Sequence, residues 1–309
     1  MISNAKLRDE YARRRSEAIA LSKERTYAAY AMLPRLEQIE AERLELAFEL
    51  GLKLRGTGNK AELAQSFQER IDALHAEKLR ILADNGLPVD YLEPEFACAA
   101  CGDTGYIGDE NRMCVCLRER LMAEEYASSG LNPGASFDTF SLVIVKDARQ
   151  KRLMAKVREL CEEYANHLAY SGARGLMLIG ASGLGKTFML DCVGARAIRD
   201  GRSVRKYTAY NIINDTMKCI RAGAETPDYT NCELLIIDDL GSEPQIGNVT
   251  CETLFSIINE RQNAGKATAI ATNLIQADIL NLYGERLFSR LMSPSLFNVL
   301  LLEGKDLRL

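Results

Sequence analysis

Gly175-Leu-Met-Leu-Ile-Gly180-Ala-Ser182-Gly183-Leu184-Gly185-Lys186-Thr187-Phe188-Met-Leu is the stretch from which the rest of the chain can be read. Its first part is apolar without period-two alternation, which suits a strand buried on both faces of a parallel sheet. Its second part, 180–187, fits G-x-x-x-x-G-K-[ST], and its third part opens a helix. Each fixed position has a physical reason. Glycines let the backbone wrap closely around phosphate oxygens, and the loop N–H groups and the positive end of the helix attract the anion. The Lys186 ammonium would reach the β- and γ-phosphates, and the Thr187 hydroxyl would ligate Mg²⁺. The expected nucleotide-contacting residues are therefore Gly180, Ser182, Gly183, Leu184, Gly185, Lys186, Thr187 and Phe188.

About fifty residues on, Leu234-Leu-Ile-Ile-Asp238-Asp239 supplies an apolar strand ending in two carboxylates. The carboxyl end of such a strand is where open α/β sheets bind ligands. Asp238 would hold Mg²⁺ through water, and Asp239 would orient or deprotonate an attacking water. The following strand candidate ends in Thr272-Asn273, which places a polar side chain between a γ-phosphate and that water. Arg286 and Arg290, four apart, share a helical face. One of them as a finger on a neighbouring subunit's nucleotide and both on a solvated face are readings the sequence supports equally. Arg308, near the end of the numbering, reads on its own as a surface terminus.

Working outward, strand candidates at 175–180, 203–207, 234–239, 267–273 and 297–302 alternate with helical stretches, the signature of an α/β domain. Before it, residues 117–170 read as a connecting helix, a linker around Gly130 to Ser136, and a further helix to about Tyr170. Four cysteines fall within nineteen residues: Cys98-x₂-Cys101 and Cys114-x-Cys116. Four thiolates close a tetrahedral structural zinc site; a Cys₄ iron–sulfur cluster and free thiols are the alternatives. The other five cysteines are scattered and read as small buried hydrophobes. The first ninety residues carry dense mixed charge with apolar residues at helical spacing, Leu33 to Leu50 and Leu63 to Leu82. The glycine-rich stretch Gly51 to Asn59 between the runs predicts a helical hairpin or short coiled coil, either a packed domain or a partner-docking module. The expected organisation is 1–92 helical, 93–120 the Cys₄ module, 121–140 a linker, and 141–309 the nucleotide domain.

A net charge of −4, with 39 Lys and Arg against 43 Asp and Glu, argues against a generally basic nucleic-acid coat while leaving room for a local positive channel. The charged N-terminus lacks the apolar stretch of a signal peptide, and no apolar run is long enough for a membrane span. A cytoplasmic protein is expected. His75 and His167 have no ligand partners nearby in sequence, so histidine catalysis has no support.

Taken together, these residues resemble the bacterial helicase-loader and transposition-helper ATPases, the DnaC/DnaI/IstB group of the AAA+ superfamily. The resemblance runs from about Leu87 to Leu309. Its most specific parts are 96–106 with Cys114-Val-Cys116, Phe137-Asp-Thr-Phe140, the 180–187 run, 235–243, Thr272-Asn273-Leu274 and Glu285-Arg286-Leu-Phe-Ser-Arg290-Leu. It implies an α/β AAA+ fold with a five-stranded parallel sheet, ATP or ADP at subunit interfaces of a self-assembled oligomer, and single-stranded DNA in its pore or groove. It also implies Asn273 as sensor 1, Arg290 as the finger acting in trans, Arg308 as a sensor-2-like residue, and an N-terminal region that contacts a replicative hexameric helicase. Two departures stand out. Asp239 occupies a position that is Glu in most AAA+ enzymes, so slow hydrolysis is expected, stimulated by single-stranded DNA. The numbering also stops just past Arg308, without the helical lid that carries sensor 2 elsewhere. An IstB-like transposition helper and a nucleotide-binding adaptor without turnover are the other readings.

Overall fold

A computed structural model describes residues 4–53, 60–168 and 175–308, and the chain divides into two compact units, 1–118 and 119–309. The expected Gly51–Asn59 turn and the helix end near Tyr170 fall partly outside the described residues.

Three helices open the first unit: α1 (Asn4–Met32), α2 (Pro34–Lys53) and α3 (Lys60–Asp84). The two apolar runs of the sequence correspond to α2 and α3. The 29-residue α1 ahead of them was not announced by periodicity, because its apolar positions do not gather on one face. Pro34 occupies the first turn of α2, where its missing N–H costs no hydrogen bond. Ala29, Leu36 and Leu82 form a small core between the three helices, closed by Leu87, Tyr91 and Leu92. α3 ends as Asn85-Gly86 suggests: Gly86 takes a positive φ, and the Leu87 N–H returns to the Leu82 carbonyl. A two-stranded antiparallel ribbon follows, β1 (Tyr106–Ile107) with β2 (Arg112–Met113), then α4 (Val115–Ser129), within which the unit boundary falls.

In the second unit α5 (Ala148–His167) precedes β3 (Gly175–Gly180), α6 (Lys186–Arg199), β4 (Val204–Thr208), α7 (Ala209–Ala222), β5 (Leu234–Leu240), α8 (Gly247–Asn263), β6 (Ala267–Thr272), α9 (Gln276–Met292) and β7 (Phe297–Leu302). All five strands are parallel, in the order β4-β5-β6-β3-β7. Both sheet faces are covered, which explains the continuous apolar runs. Leu176, Leu178, Leu234 and Ile236 pack with α5 and α6 on one side. Met177, Ile179, Leu235 and Ile237 pack with α7, α8 and α9 on the other.

Buried Arg261 of α8 ties this unit together in an unusual way. It is fully buried, and its guanidinium donates to the carbonyls of Tyr229, Thr230, Cys232, Glu233 and Ala267 and to the Thr268 hydroxyl. One side chain thus satisfies the loop entering β5 and the start of β6. Burial lowers its pKa.

Candidate functional site

The phosphate loop joins β3 to α6, and Lys186 is the first residue of that helix. Because β6 lies between β3 and β5, the ends of β6 and β5 come up beside the loop. Lys186 is buried, and its ammonium donates to the carbonyls of Gly180 and Ala181 and to Asn273 Oδ1, each at 2.7 Å. Burial lowers its pKa against the opposing pull of Asp239 and Asp238. The Thr187 hydroxyl donates to Asp238 Oδ1 at 3.1 Å. Asp238 is buried at the end of β5, where the ladder to β6 slips between Ile237 and Leu240. The slip leaves Asp239 at φ 51°, turned into the cleft rather than into the sheet. Burial, and then the neighbouring Asp238 charge, raise the Asp239 pKa.

The cleft has a volume of about 570 Å³, within the range of small-molecule sites. Its polar end carries Ser182, Gly183, Gly185, Lys186, Thr187, Asp239 and Asn273. Its apolar wall is made by Phe140, Ile144, Val145, Met154 and Phe188. Of the other loop residues, Gly180 abuts β7 at the Leu302 carbonyl, and the Leu184 side chain is buried in the core.

Arg308 is exposed, as its sequence position suggests, but it also contacts the phosphate loop. Its guanidinium donates to Ser182 Oγ at 2.9 Å, and its partner Asp306 leans on Gly183, where any Cβ would overlap the carboxylate. The Leu307 N–H donates to the Gly183 carbonyl at 2.9 Å. Gln150 of α5 pins this turn by exchanging hydrogen bonds with the Lys305 backbone. Nothing in the 303–308 sequence signals the contact, because it depends on where β7 ends. Arg290, by contrast, does not line the cleft. It sits beyond a break in α9 at Gly284, donating to Gln262 Oε1 at 3.4 Å, and with Arg286 it lies over the Phe255 ring.

Sequence reading missed Asp191 and Lys206. Lys206 of β4 donates to Asp191 Oδ1 at 2.7 Å and lies 3.3 Å from Asp238 Oδ2. The only signal was a lysine in a short β-rich run, which does not reveal the face it takes.

In the first unit, Cys98, Cys101, Cys114 and Cys116 bring their four sulfurs within 4.8 Å of one another. Cys98 and Cys114 are 3.8 Å apart, and Cys101 and Cys116 3.6 Å. A tetrahedron with Zn–S bonds of about 2.3 Å has S···S edges of roughly 3.8 Å, so the donor set fits zinc. Asp103, buried at φ 56°, shapes the first knuckle by accepting from the Ala97 and Cys98 N–H groups and from Arg14 of α1. A backbone hydrogen bond from Cys101, followed by the neighbouring thiols, lowers Cys98 to about 7, while burial raises Cys116 to about 12.

Residues 119–296 match the family model described as IstB-like ATP binding protein. The chain belongs to this family of AAA+ ATPases. The Cys₄ cluster, resembling a zinc-binding module, lies ahead of the matched span. The IstB-like chain is also 32% identical over 181 residues to the chromosomal replication initiator protein DnaA of Aliarcobacter butzleri, and 30% identical over 169 residues to that of Wolinella succinogenes. These stretches cover 56% and 53% of this chain but only 38% and 36% of those proteins, so it spans less than two-fifths of the curated relatives it matches. Among solved structures it is similar to the DnaC helicase loader, at 23% identity and TM-score 0.45 over 55% of this chain and 97% of that one. AMPPCP-bound DnaA from Aquifex aeolicus gives 22% and 0.44, covering 58% and 53% of the two chains. No helix among the described residues is long and apolar enough to cross a membrane.

Proposed function

We propose that this protein is an ATP-driven helicase loader: a cytoplasmic AAA+ ATPase that assembles with copies of itself, binds single-stranded DNA, and helps place a replicative hexameric helicase on it. The observation that carries the ATPase part is the convergence of Lys186, Thr187, Asp239 and Asn273 at one cleft, with buried Asp238 hydrogen-bonded to Thr187 behind it. Lys186 exchanges its carbonyl and Asn273 acceptors for β- and γ-phosphate oxygens. Thr187 and Asp238 would hold Mg²⁺, which when bound supplies charge neutralisation of the phosphates. The apolar wall from Phe140 to Met154 takes the base. In hydrolysis a water oxygen attacks the γ-phosphorus as the bond to the β–γ bridging oxygen breaks. Asp239 orients that water and receives its proton. Asn273 fixes the water, and Arg308 closes on the phosphate end from the Ser182 side.

The helicase-docking part rests on the N-terminal helices and the Cys₄ module, which would hold structural zinc and fall outside the span shared with IstB-like proteins. That span itself favours a second reading, a transposition helper that binds target DNA and recruits a transposase. The test is co-purification from host lysate with and without ATP. Recovery of a hexameric helicase, lost on deleting residues 1–118, supports loading; recovery of a transposase instead supports the helper.

A further inference from the structure

β4 is an edge strand held in a fixed register. The Val204 N–H donates to Glu125 Oε1 at 2.8 Å, and Arg205 pairs with the same carboxylate. At the turn after α4, Gly130 takes φ 79°, and a Cβ there would meet the Lys206 carbonyl at 2.8 Å, so the chain presses directly on the Lys206 backbone. Pairing with β5 sets Lys206 opposite Ile236 and Thr208 opposite Asp238. Successive side chains alternate between faces, so Lys206 shares with Ile236 and Asp238 the face covered by α6. From there its side chain reaches along the sheet to two acids.

Its ammonium donates to Asp191 Oδ1 at 2.7 Å and lies 3.3 Å from Asp238 Oδ2. The side chains of Lys206, Asp191 and Asp238 are 12%, 3% and 6% exposed. Asp191 follows Thr187 by four residues, so one face of α6 presents both. The other oxygen of Asp238, Oδ1, accepts from the Thr187 hydroxyl and from the Asp239 N–H, each at 3.1 Å. The two oxygens are thus held from opposite sides. An aspartate carboxylate otherwise rotates in a broad, two-fold torsional well.

We propose that Lys206 is a positioning residue for the ATPase: by gripping Oδ2 it fixes the rotation of the Asp238 carboxylate, so that Oδ1 stays presented to Thr187 at the metal-binding edge of the phosphate site. This rests on the phosphate-site reading above. A competing role is charge balance alone, in which Lys206 only neutralises Asp191. The three groups sum to −1. Lys206→Met takes them to −2, and the double variant Lys206→Met/Asp191→Asn returns them to −1 while leaving Asp238 Oδ2 without its cation. Charge balance and positioning therefore separate.

The full-length protein and its variants are compared in three measurements. These are the thermal midpoint, the Mg²⁺ concentration that half-saturates binding of a fluorescent ADP analogue, and kcat and KM for ATP well below the lowest midpoint. Lys206→Met lowers the midpoint and raises the Mg²⁺ requirement. The double variant recovers the midpoint, yet its Mg²⁺ half-saturation stays raised about fivefold or more and kcat stays down roughly tenfold or more, since small misplacements of catalytic groups cost up to about a hundredfold. Recovery of all three together returns Lys206 to charge balance and overturns the inference, as does Lys206→Met behaving like the parent. Should both methionine variants fail to fold, Lys206→Arg decides. It keeps the charge but changes the reach, and an unchanged Mg²⁺ requirement and kcat in a folded protein overturn the inference equally. Lys186→Ala separates the two levels. If it still binds the ADP analogue as the parent does, the phosphate-site reading has failed; if it loses binding while the Lys206 variants are normal, only the positioning role has.

Discussion

Lys186 and Arg261 are both buried cations, and they differ in what each leaves behind when removed. Lys186 donates to two loop carbonyls and Asn273 beside an open cleft, where water can replace it. Lys186→Ala is therefore expected to fold, with a melting midpoint close to the parent's, and to lose tight nucleotide binding; titration with a fluorescent ATP analogue checks both arms. Arg261 donates to five buried or half-buried carbonyls far from such a cleft. An abandoned buried acceptor costs roughly 1–3 kcal/mol, so Arg261→Met should destabilise the 119–309 unit by at least about 3 kcal/mol. For a unit of this size that is a drop in midpoint of about 6–12 °C, measurable by calorimetry, and a drop under about 2 °C would show that water enters to satisfy the carbonyls. The sequence made Lys186 legible because a phosphate loop has a fixed local pattern. Arg261, Lys206 and Asp191 were not legible, because their partners lie on other elements and only the sheet order brings them together. Arg308 belongs with them: its contact with Ser182 spans 126 residues.

At the scale of elements, β3 and β5 were readable because these inner strands are buried on both faces and carry continuous apolar runs, whereas the edge strands β4 and β7 are only partly buried and mix in polar residues. α1 was hidden because its apolar residues are spread around the helix among charges, and the few it buries, such as Leu7, Tyr11 and Ala29, make no continuous stripe. Arg14 of that helix reaches the buried carboxylate of Asp103, which in turn accepts from the N–H groups of Ala97 and Cys98. The Cys₄ module is therefore shaped by a carboxylate as well as by whatever its sulfurs bind. Purified protein is expected to carry about one zinc per chain, measured by atomic absorption. Structural zinc contributes on the order of 10 kcal/mol to folding in finger peptides, so chelation should open residues 96–118 to protease while nucleotide binding by the 119–309 unit survives. Asp103→Asn keeps the sulfurs but weakens three hydrogen bonds to an ionised acceptor. It is expected to speed zinc loss to a chelator several-fold without changing stoichiometry at saturating zinc. Iron and visible absorption in anaerobically prepared protein would instead assign the site to a cluster.

For the whole molecule the open chemical step is the origin of the positive charge that stabilises the transferring γ-phosphoryl group. Lys186 and Arg308 stand at the cleft, but Arg290 does not: it lies beyond the break at Gly284, stacked with Arg286 on Phe255. An arginine so placed would serve hydrolysis only by reaching from one copy of the chain to the nucleotide of the next. Arg290→Ala is then expected to bind ATP as the parent does and to lose the hydrolysis stimulated by single-stranded DNA, where fingers supply roughly 10³–10⁵ in rate and a slow ATPase shows less. Loss of activity alone would not distinguish a finger from a disturbed α9, so the decisive experiment mixes two inactive proteins. Lys186→Ala subunits hold no nucleotide but carry Arg290, whereas Arg290→Ala subunits hold nucleotide but lack the finger. In a mixed assembly some Arg290→Ala sites face an intact Arg290 from a Lys186→Ala neighbour, and these sites should hydrolyse ATP although neither protein does so alone. The recovered rate should rise and then fall with the mixing ratio, peaking where such unlike pairs are most numerous. A flat, inactive curve from subunits shown by crosslinking to co-assemble would place Arg290 on a solvated helix face and leave Arg308 as the remaining arginine at the cleft.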